Sequence, residues 1–203
     1  LIPIIENGVM LMEDYLRTGG PVMIPLVVVS LLMWLLILER VFFFRRLQRR
    51  DMTSSTALEY VADGRLPDRR RYRGATGLLV TEFVCRRSGR RTLDRFVLDE
   101  TVARIQRTLT SHLSVIGVLA AISPLLGLLG TVMGMITTFD VLAVFGTGNA
   151  RAMAGGISEA LITTQTGLLV AIPGLYMKGF LDRRAGRLEQ RLGAVGLYLR
   201  RHL

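Results

Sequence analysis

An acid inside an otherwise uncharged stretch is the first residue in this sequence that could do chemistry. Glu159 opens the run Glu159-Ala160-Leu161-Ile162-Thr163-Thr164-Gln165-Thr166-Gly167. On a helix, its spacings of four and seven to Thr163 and Thr166 put these three on one face, and Thr164 and Gln165 widen the polar region. An acid within a membrane costs about 2.5 kcal/mol or more, so such residues mark ion pathways. The competing reading places Glu159 in the first turn of a helix, complementing its dipole. The four polar residues that follow weigh towards a pathway.

A second cluster lies in Ser123-Pro124-Leu125-Leu126-Gly127-Leu128-Leu129-Gly130-Thr131-Val132-Met133-Gly134-Met135-Ile136-Thr137-Thr138-Phe139. Pro124, Gly127, Thr131 and Thr138 fall in one narrow helical sector with Gly134 at its edge. Such a stripe, together with Gly130, either lets two helices approach closely or lines a narrow polar path. The spacing alone favours packing, because a threonine can bond its own backbone carbonyl. Pro124 and Pro173 each remove a helix hydrogen bond and mark bends that neighbouring helices must support.

Other chemistry has little to stand on. His112 and His202 are far apart, and the lone Cys85 reads as a small packed thiol; no metal or cofactor site is expected. The glycine-rich stretch lacks the lysine of a phosphate-binding loop, and no Ser/His/Asp constellation is present, so an enzyme is not expected.

The elements that position these residues follow from segregation of charge. Half of the 203 residues are hydrophobic, yet the net charge is +10. Residues 18–38, 113–139 and 160–177 carry no charge, and each approaches the ~20 residues a helix needs to cross a bilayer. The fold class expected is therefore all-α, an integral membrane protein with three transmembrane helices. Of the 26 basic residues, 16 lie between Arg45 and Arg107 and seven between Lys178 and Arg201. Those segments share one side, which the positive-inside rule makes the cytoplasm. This accounts for the charge without nucleic acid. The first span has no small-residue cleavage site and reads as a retained helix rather than a signal peptide.

The expected organisation is a periplasmic segment at 1–20, holding an amphipathic helix within 1–18, and a first transmembrane helix at 21–44. A cytoplasmic helical segment at 45–110 and a second span at 111–139 follow. A periplasmic loop at 140–154, a third span at 155–178 and a cytoplasmic C-terminal helix at 179–203 complete the chain. Short helices are expected at 53–62 and 75–87. Leu93, Val97, Val102, Ile105, Leu109 and Leu113 predict a helix running from near Thr92 straight into the second span. Leu181, Leu188, Leu192, Val195 and Leu199 form an apolar stripe on the last helix, which predicts oligomerisation.

The 123–134 stretch resembles the second-span signature of the MotA/TolQ/ExbB proton-channel family. The Glu159-Ala160-Leu161 and 167–173 stretches resemble its third, and the Gly19-Gly20-Pro21 start of a first span ending in Glu39-Arg40 is similar to the ExbB branch. The resemblance implies a homopentameric ring around a pair of single-span ExbD-like helices. It also implies a TonB-like partner that reaches outer-membrane receptors, and an inner-membrane location within lipid. The proton-carrying aspartate then belongs to the ExbD-like partner, and the ring supplies polar lumen residues: Thr131, Glu159 and Thr164, with Thr163 and Thr166 as secondary candidates. The helix-packing residues are Pro124, Gly127, Gly130, Gly134 and Pro173. The rivals are a TolQ-like motor for envelope maintenance and a non-conducting scaffold.

Overall fold

The described chain is helical almost throughout, and the long helices run through Pro124 and Pro173. The structure, a computed structural model, describes residues 19–48, 51–68, 72, 74–146 and 150–202, so the amphipathic helix expected within 1–18 lies outside it. The order is α1 (Met23–Gln48), α2 (Ser54–Asp63), α3 (Ala75–Arg86), α4 (Arg91–Thr110), α5 (Leu113–Phe145) and α6 (Ala150–His202). Among the described residues there is no strand. Three helical stretches, Met23–Leu47, Arg91–Phe145 and Ala150–His202, are long and apolar enough to cross a membrane. In the second of these the apolar part is α5, since α4 carries seven charged side chains between Arg91 and Arg107.

The ends have local causes. Arg45 and Arg46 occupy the last turn of α1, where cations complement the helix dipole. Gly64, at φ 65°, closes α2, with the Arg65 N–H donating to the Tyr60 carbonyl at 3.1 Å. α5 runs on to Phe145 and α6 already begins at Ala150, so both take up residues that the sequence reading gave to the 140–154 loop. Gly146, at φ 64°, ends α5, and Ala150-Arg151-Ala152-Met153-Ala154 is a run of strong helix formers. Glu159 is therefore the tenth residue of α6, beyond the first turn where the dipole of its own helix would favour it.

The chain divides into two units. The spanning unit comprises residues 1–36 and 115–178; the arginine-rich unit comprises 37–114 and 179–203. In the spanning unit, Leu26, Met33, Ile116, Ala120 and Ala171 are buried. A methyl group on Gly174 would lie 2.8 Å from Cε of Met33 and 3.1 Å from Cβ of Ala120, so α1, α5 and α6 converge there.

The arginine-rich unit packs α4 against the last part of α6. Leu181, Leu188, Leu192, Val195 and Leu199 are all buried, as are Leu98, Ile105 and Leu109. Gln106 donates to the Glu189 carbonyl at 3.2 Å, Arg200 pairs with Asp99 at 3.3 Å, and a methyl group on Gly196 would touch Val102. The apolar stripe of the last helix is thus covered within one chain, and it lends no support to oligomerisation. In its first half the buried face of α4 sits one residue from the expected one, with Asp94, Leu98 and Thr101 inwards and Leu93 exposed, whereas Ile105 and Leu109 are buried as expected. Cys85, expected to be packed, is exposed.

Asp94 explains the shift of that face. Its Oδ1 accepts the Ser88 N–H at 2.7 Å and the Ser88 hydroxyl at 3.0 Å, and its Oδ2 accepts Arg87 Nε at 3.2 Å. Burial opposes its ionisation, but the Ser88 and Arg87 hydrogen bonds outweigh that and hold the carboxyl below its ordinary value. A carboxyl depressed in the folded state stabilises above its unfolded pKa, and the gain disappears as pH falls through the folded value. Asp94→Asn is expected to cost about 2 kcal/mol at neutral pH. The check is the thermal midpoint followed from about pH 7 down to 3: the gap between the wild type and Asp94→Asn should close on acidification.

The expected single rod from α4 into α5 is broken. Ser111 caps α4 through its N–H to the Arg107 carbonyl at 3.0 Å, and His112 takes φ 65°, an uncommon conformation for a residue with a side chain. The cause comes from α1. Arg40, only 3% exposed, donates to the Thr108 carbonyl at 3.1 Å, the Ser111 hydroxyl at 2.5 Å and His112 Nδ1 at 2.7 Å. Its guanidinium also lies 5.2 Å from the Phe43 ring centre. The same Nδ1 lies 3.5 Å from the Glu39 carboxylate, so the imidazole sits between the Arg40 and Glu39 side chains.

Candidate functional site

The stripe of small residues in α5 lies against a matching set in α6. A methyl group on Gly127 would fall 3.0 Å from the Thr163 carbonyl oxygen and 3.2 Å from the Thr164 Cα. One on Gly130 would meet the Thr163 side chain, and one on Gly134 would lie 2.5 Å from the Gly156 carbonyl and 2.9 Å from the Ala160 Cβ. From the other side, a methyl group on Gly167 would lie 2.7 Å from the Ser123 carbonyl oxygen, and one on Gly156 would meet the Thr138 side chain. Glycine and alanine at these positions let the two backbones meet, which in lipid supplies the van der Waals contact that hydrophobic burial cannot. Sequence reasoning singled out the α5 half of this seam. Gly156 and Gly167 were visible in the third-span motif, but nothing local tied them to particular partners.

The hydroxyls flank the seam. Thr163 is 1% exposed and donates to the Glu159 and Ala160 carbonyls at 3.0 and 2.9 Å. Thr164 is half-buried; its hydroxyl lies 3.0 Å from the Ala160 carbonyl and 3.5 Å from the Gly127 carbonyl across the seam. Thr131 and Thr166, also half-buried, donate to Leu128 and Ile162 carbonyls at 2.6 and 2.7 Å. Each proton is committed to the backbone, while the oxygens of Thr131, Thr163 and Thr164 keep lone pairs that can accept from water or a hydrated proton. Pro124 and Pro173 are half-buried within α5 and α6. Ser123 is buried and donates to the Leu119 carbonyl at 2.9 Å.

Glu159 stands apart from Thr164. Five residues separate them, about 140° around the helix, and no hydrogen bond joins Glu159 to Thr131 or Thr164 among the described residues. Thr164 faces Gly127 of α5, whereas the Glu159 carboxyl lies against Gly20, in the turn that precedes α1. The structure brings Thr164 and Thr163 to the α5 seam and takes Glu159 to α1. Large apolar side chains are exposed beside the seam, among them Leu125, Val132, Ile136, Leu161, Leu168 and Ile172.

Taken together these features define an all-α membrane protein whose two longest apolar helices share a glycine-lined seam flanked by threonines. A sequence model of the MotA/TolQ/ExbB proton channel family matches residues 76–193, more than half of the chain, and the chain belongs to that family. Among its relatives, a Synechocystis protein named ExbB-like 1 is 32% identical over 195 residues, covering 92% of this chain and 76% of its own length. A second Synechocystis protein, ExbB-like 3, is 29% identical over 194 residues, covering 90% of this chain and 92% of its own length. The biopolymer transport protein ExbB of Salmonella typhimurium is 36% identical over 100 residues, 49% of this chain and 41% of that protein.

Proposed function

We propose that this chain is the ring subunit of a proton-motive-force-driven inner-membrane motor, ExbB-like, that energises TonB-dependent transport across the outer membrane. The observation that carries this reading is that the family match covers α5 and the part of α6 that packs on it, including the seam and its threonines. The names of the relatives, biopolymer transport protein ExbB and its likes, favour this role over a TolQ-like one. The subunit forms a homopentamer in lipid, with the N-terminus periplasmic and the C-terminus cytoplasmic, around a single-span ExbD-like partner that itself engages a TonB-like protein.

Large apolar side chains exposed on α5 and α6 support such packing, since a face of that extent needs lipid or neighbouring helices against it. Thr131 and Thr164 line the ion pathway, with Thr163 and Thr166 beside them. The lone pairs of Thr131 and Thr164 replace part of the hydration shell of a proton on its way to a partner carboxylate, where neutralisation releases the partner to move. Glu159 supplies negative potential at one end of that path. The chain needs no cofactor and performs no bond chemistry of its own.

Native mass spectrometry of the chain co-expressed with single-span proteins bearing an intramembrane aspartate tests the assembly. A closed ring that retains such a partner is the expected result. A ring that never retains one points instead to a scaffold, and a monomer removes the ring altogether.

A further inference from the structure

Gly20 has φ 65°, a conformation that favours glycine, and the three atoms nearest to a Cβ built there all belong to Glu159. Such a Cβ would overlap a carboxylate oxygen and lie 2.7 Å from the carboxyl carbon and 3.3 Å from Cγ. The glycine is therefore demanded twice, by the backbone conformation and by the room the acid occupies. We propose that the Gly20 turn is the seat of the Glu159 carboxylate, and that Glu159 is the positioning residue that fixes the start of α1 against α6.

The start of α1 needs such a contact. Pro21 and Pro25 have no N–H to give, and the first backbone bonds are long: Met23 N–H to the Gly20 carbonyl at 3.2 Å, Ile24 to Pro21 at 3.4 Å and Leu26 to Val22 at 3.3 Å. A carboxylate beside a helix N-terminus is favoured by the helix dipole. Glu159, well inside its own helix, thus sits at the beginning of another. The pairing is beyond the reach of sequence spacing, because about 140 positions separate the two residues. It does not depend on the ion-pathway reading, and proton flux through the ring is a separate measurement.

Hydrogen exchange of the assembled protein in lipid nanodiscs tests the seat directly. Glu159→Ala is expected to speed exchange of the amides in residues 22–26 about tenfold or more while leaving residues 163–170 of α6 unchanged. Glu159→Gln, which fills the seat without the charge, should fall between. Equal exchange at 22–26 in the wild type and Glu159→Ala would overturn the proposal. A second comparison separates collision from backbone strain, since asparagine tolerates positive φ. Gly20→Asn should lower the thermal midpoint by on the order of 5 °C when Glu159 is present and by about 1 °C or less in the Glu159→Ala background. Equal losses in both backgrounds would contradict the seat.

Discussion

Gly134→Val is expected to lower the thermal midpoint of the protein by about 10 °C, corresponding to about 3 kcal/mol of overpacking. The atoms in the way are not a flexible side chain that can swing aside. They are the Gly156 carbonyl oxygen at 2.5 Å and the Ala160 amide nitrogen and Cβ, both at 2.9 Å. The added atoms must therefore push α6 away from α5, and the contacts at Gly127, Gly130 and Gly167 loosen with them. Gly155→Ala is the matched control. It lies one residue from Gly156 in α6, with nothing within 4 Å of its missing Cβ, so helix propensity alone decides and the change is neutral or stabilising by up to about 1 kcal/mol. Thermal unfolding of the two variants, alongside their ring content, checks the pair. Equal midpoints would remove the close seam.

Arg40→Met is expected to cost about 2 to 3 kcal/mol, seen as a lower thermal midpoint and faster proteolysis around residues 107–112. The guanidinium holds three acceptors at the junction of α4 and α5. Without it the Thr108 carbonyl keeps only the Ser111 hydroxyl, at 3.0 Å, as a side-chain donor, and His112 has less reason to stay at φ 65°. Arg40→Lys should recover only part of the loss, since one ammonium cannot reproduce a fork that reaches a carbonyl, a hydroxyl and a ring nitrogen together. Full recovery by lysine would show that the charge alone, rather than the fork, holds the junction.

The sequence shows most clearly what depends on local pattern. Uncharged stretches located three spanning helices, and the turn residues placed α2, α3 and the start of α4 within a residue or so of their observed positions. The small-residue stripe in α5 was legible because helical periodicity gathers Pro124, Gly127, Thr131 and Thr138 with Gly134 at the edge; Gly127, Gly134 and Thr138 are buried, and Pro124 and Thr131 half-buried. Long-range contacts decided the rest. The break at His112 is set by Arg40, some seventy residues earlier, and periodicity cannot register a guanidinium arriving from another helix.

The stripe from Leu181 to Leu199 illustrates the same limit differently. Its spacing correctly marks a face that must be covered, but spacing does not say whether the cover comes from the same chain, and here α4 provides it. The inward face of α4 shifted because a buried aspartate, Asp94, pays for its burial with three hydrogen bonds. A hydrophobic template counts such a residue as outward-facing. Glu159 shared a predicted face with Thr163 and Thr166, and it does emerge on the side of α6 away from Thr164. Its neighbour Gly20 had been read only as part of the Gly19-Gly20-Pro21 start of the first span.

Proton flux into proteoliposomes holding the chain and the single-span partner proposed for it, under an imposed pH gradient, bears most directly on the role proposed for the threonines. Thr131→Val and Thr164→Val remove a hydroxyl at nearly constant shape, and native mass spectrometry confirms that the ring is intact. With assembly unchanged, flux should fall about tenfold or more in each variant, a loss of about 1.4 kcal/mol in barrier terms. Undiminished flux through intact rings in both variants would contradict a pathway along the α5 and α6 threonines and leave the seam as packing alone.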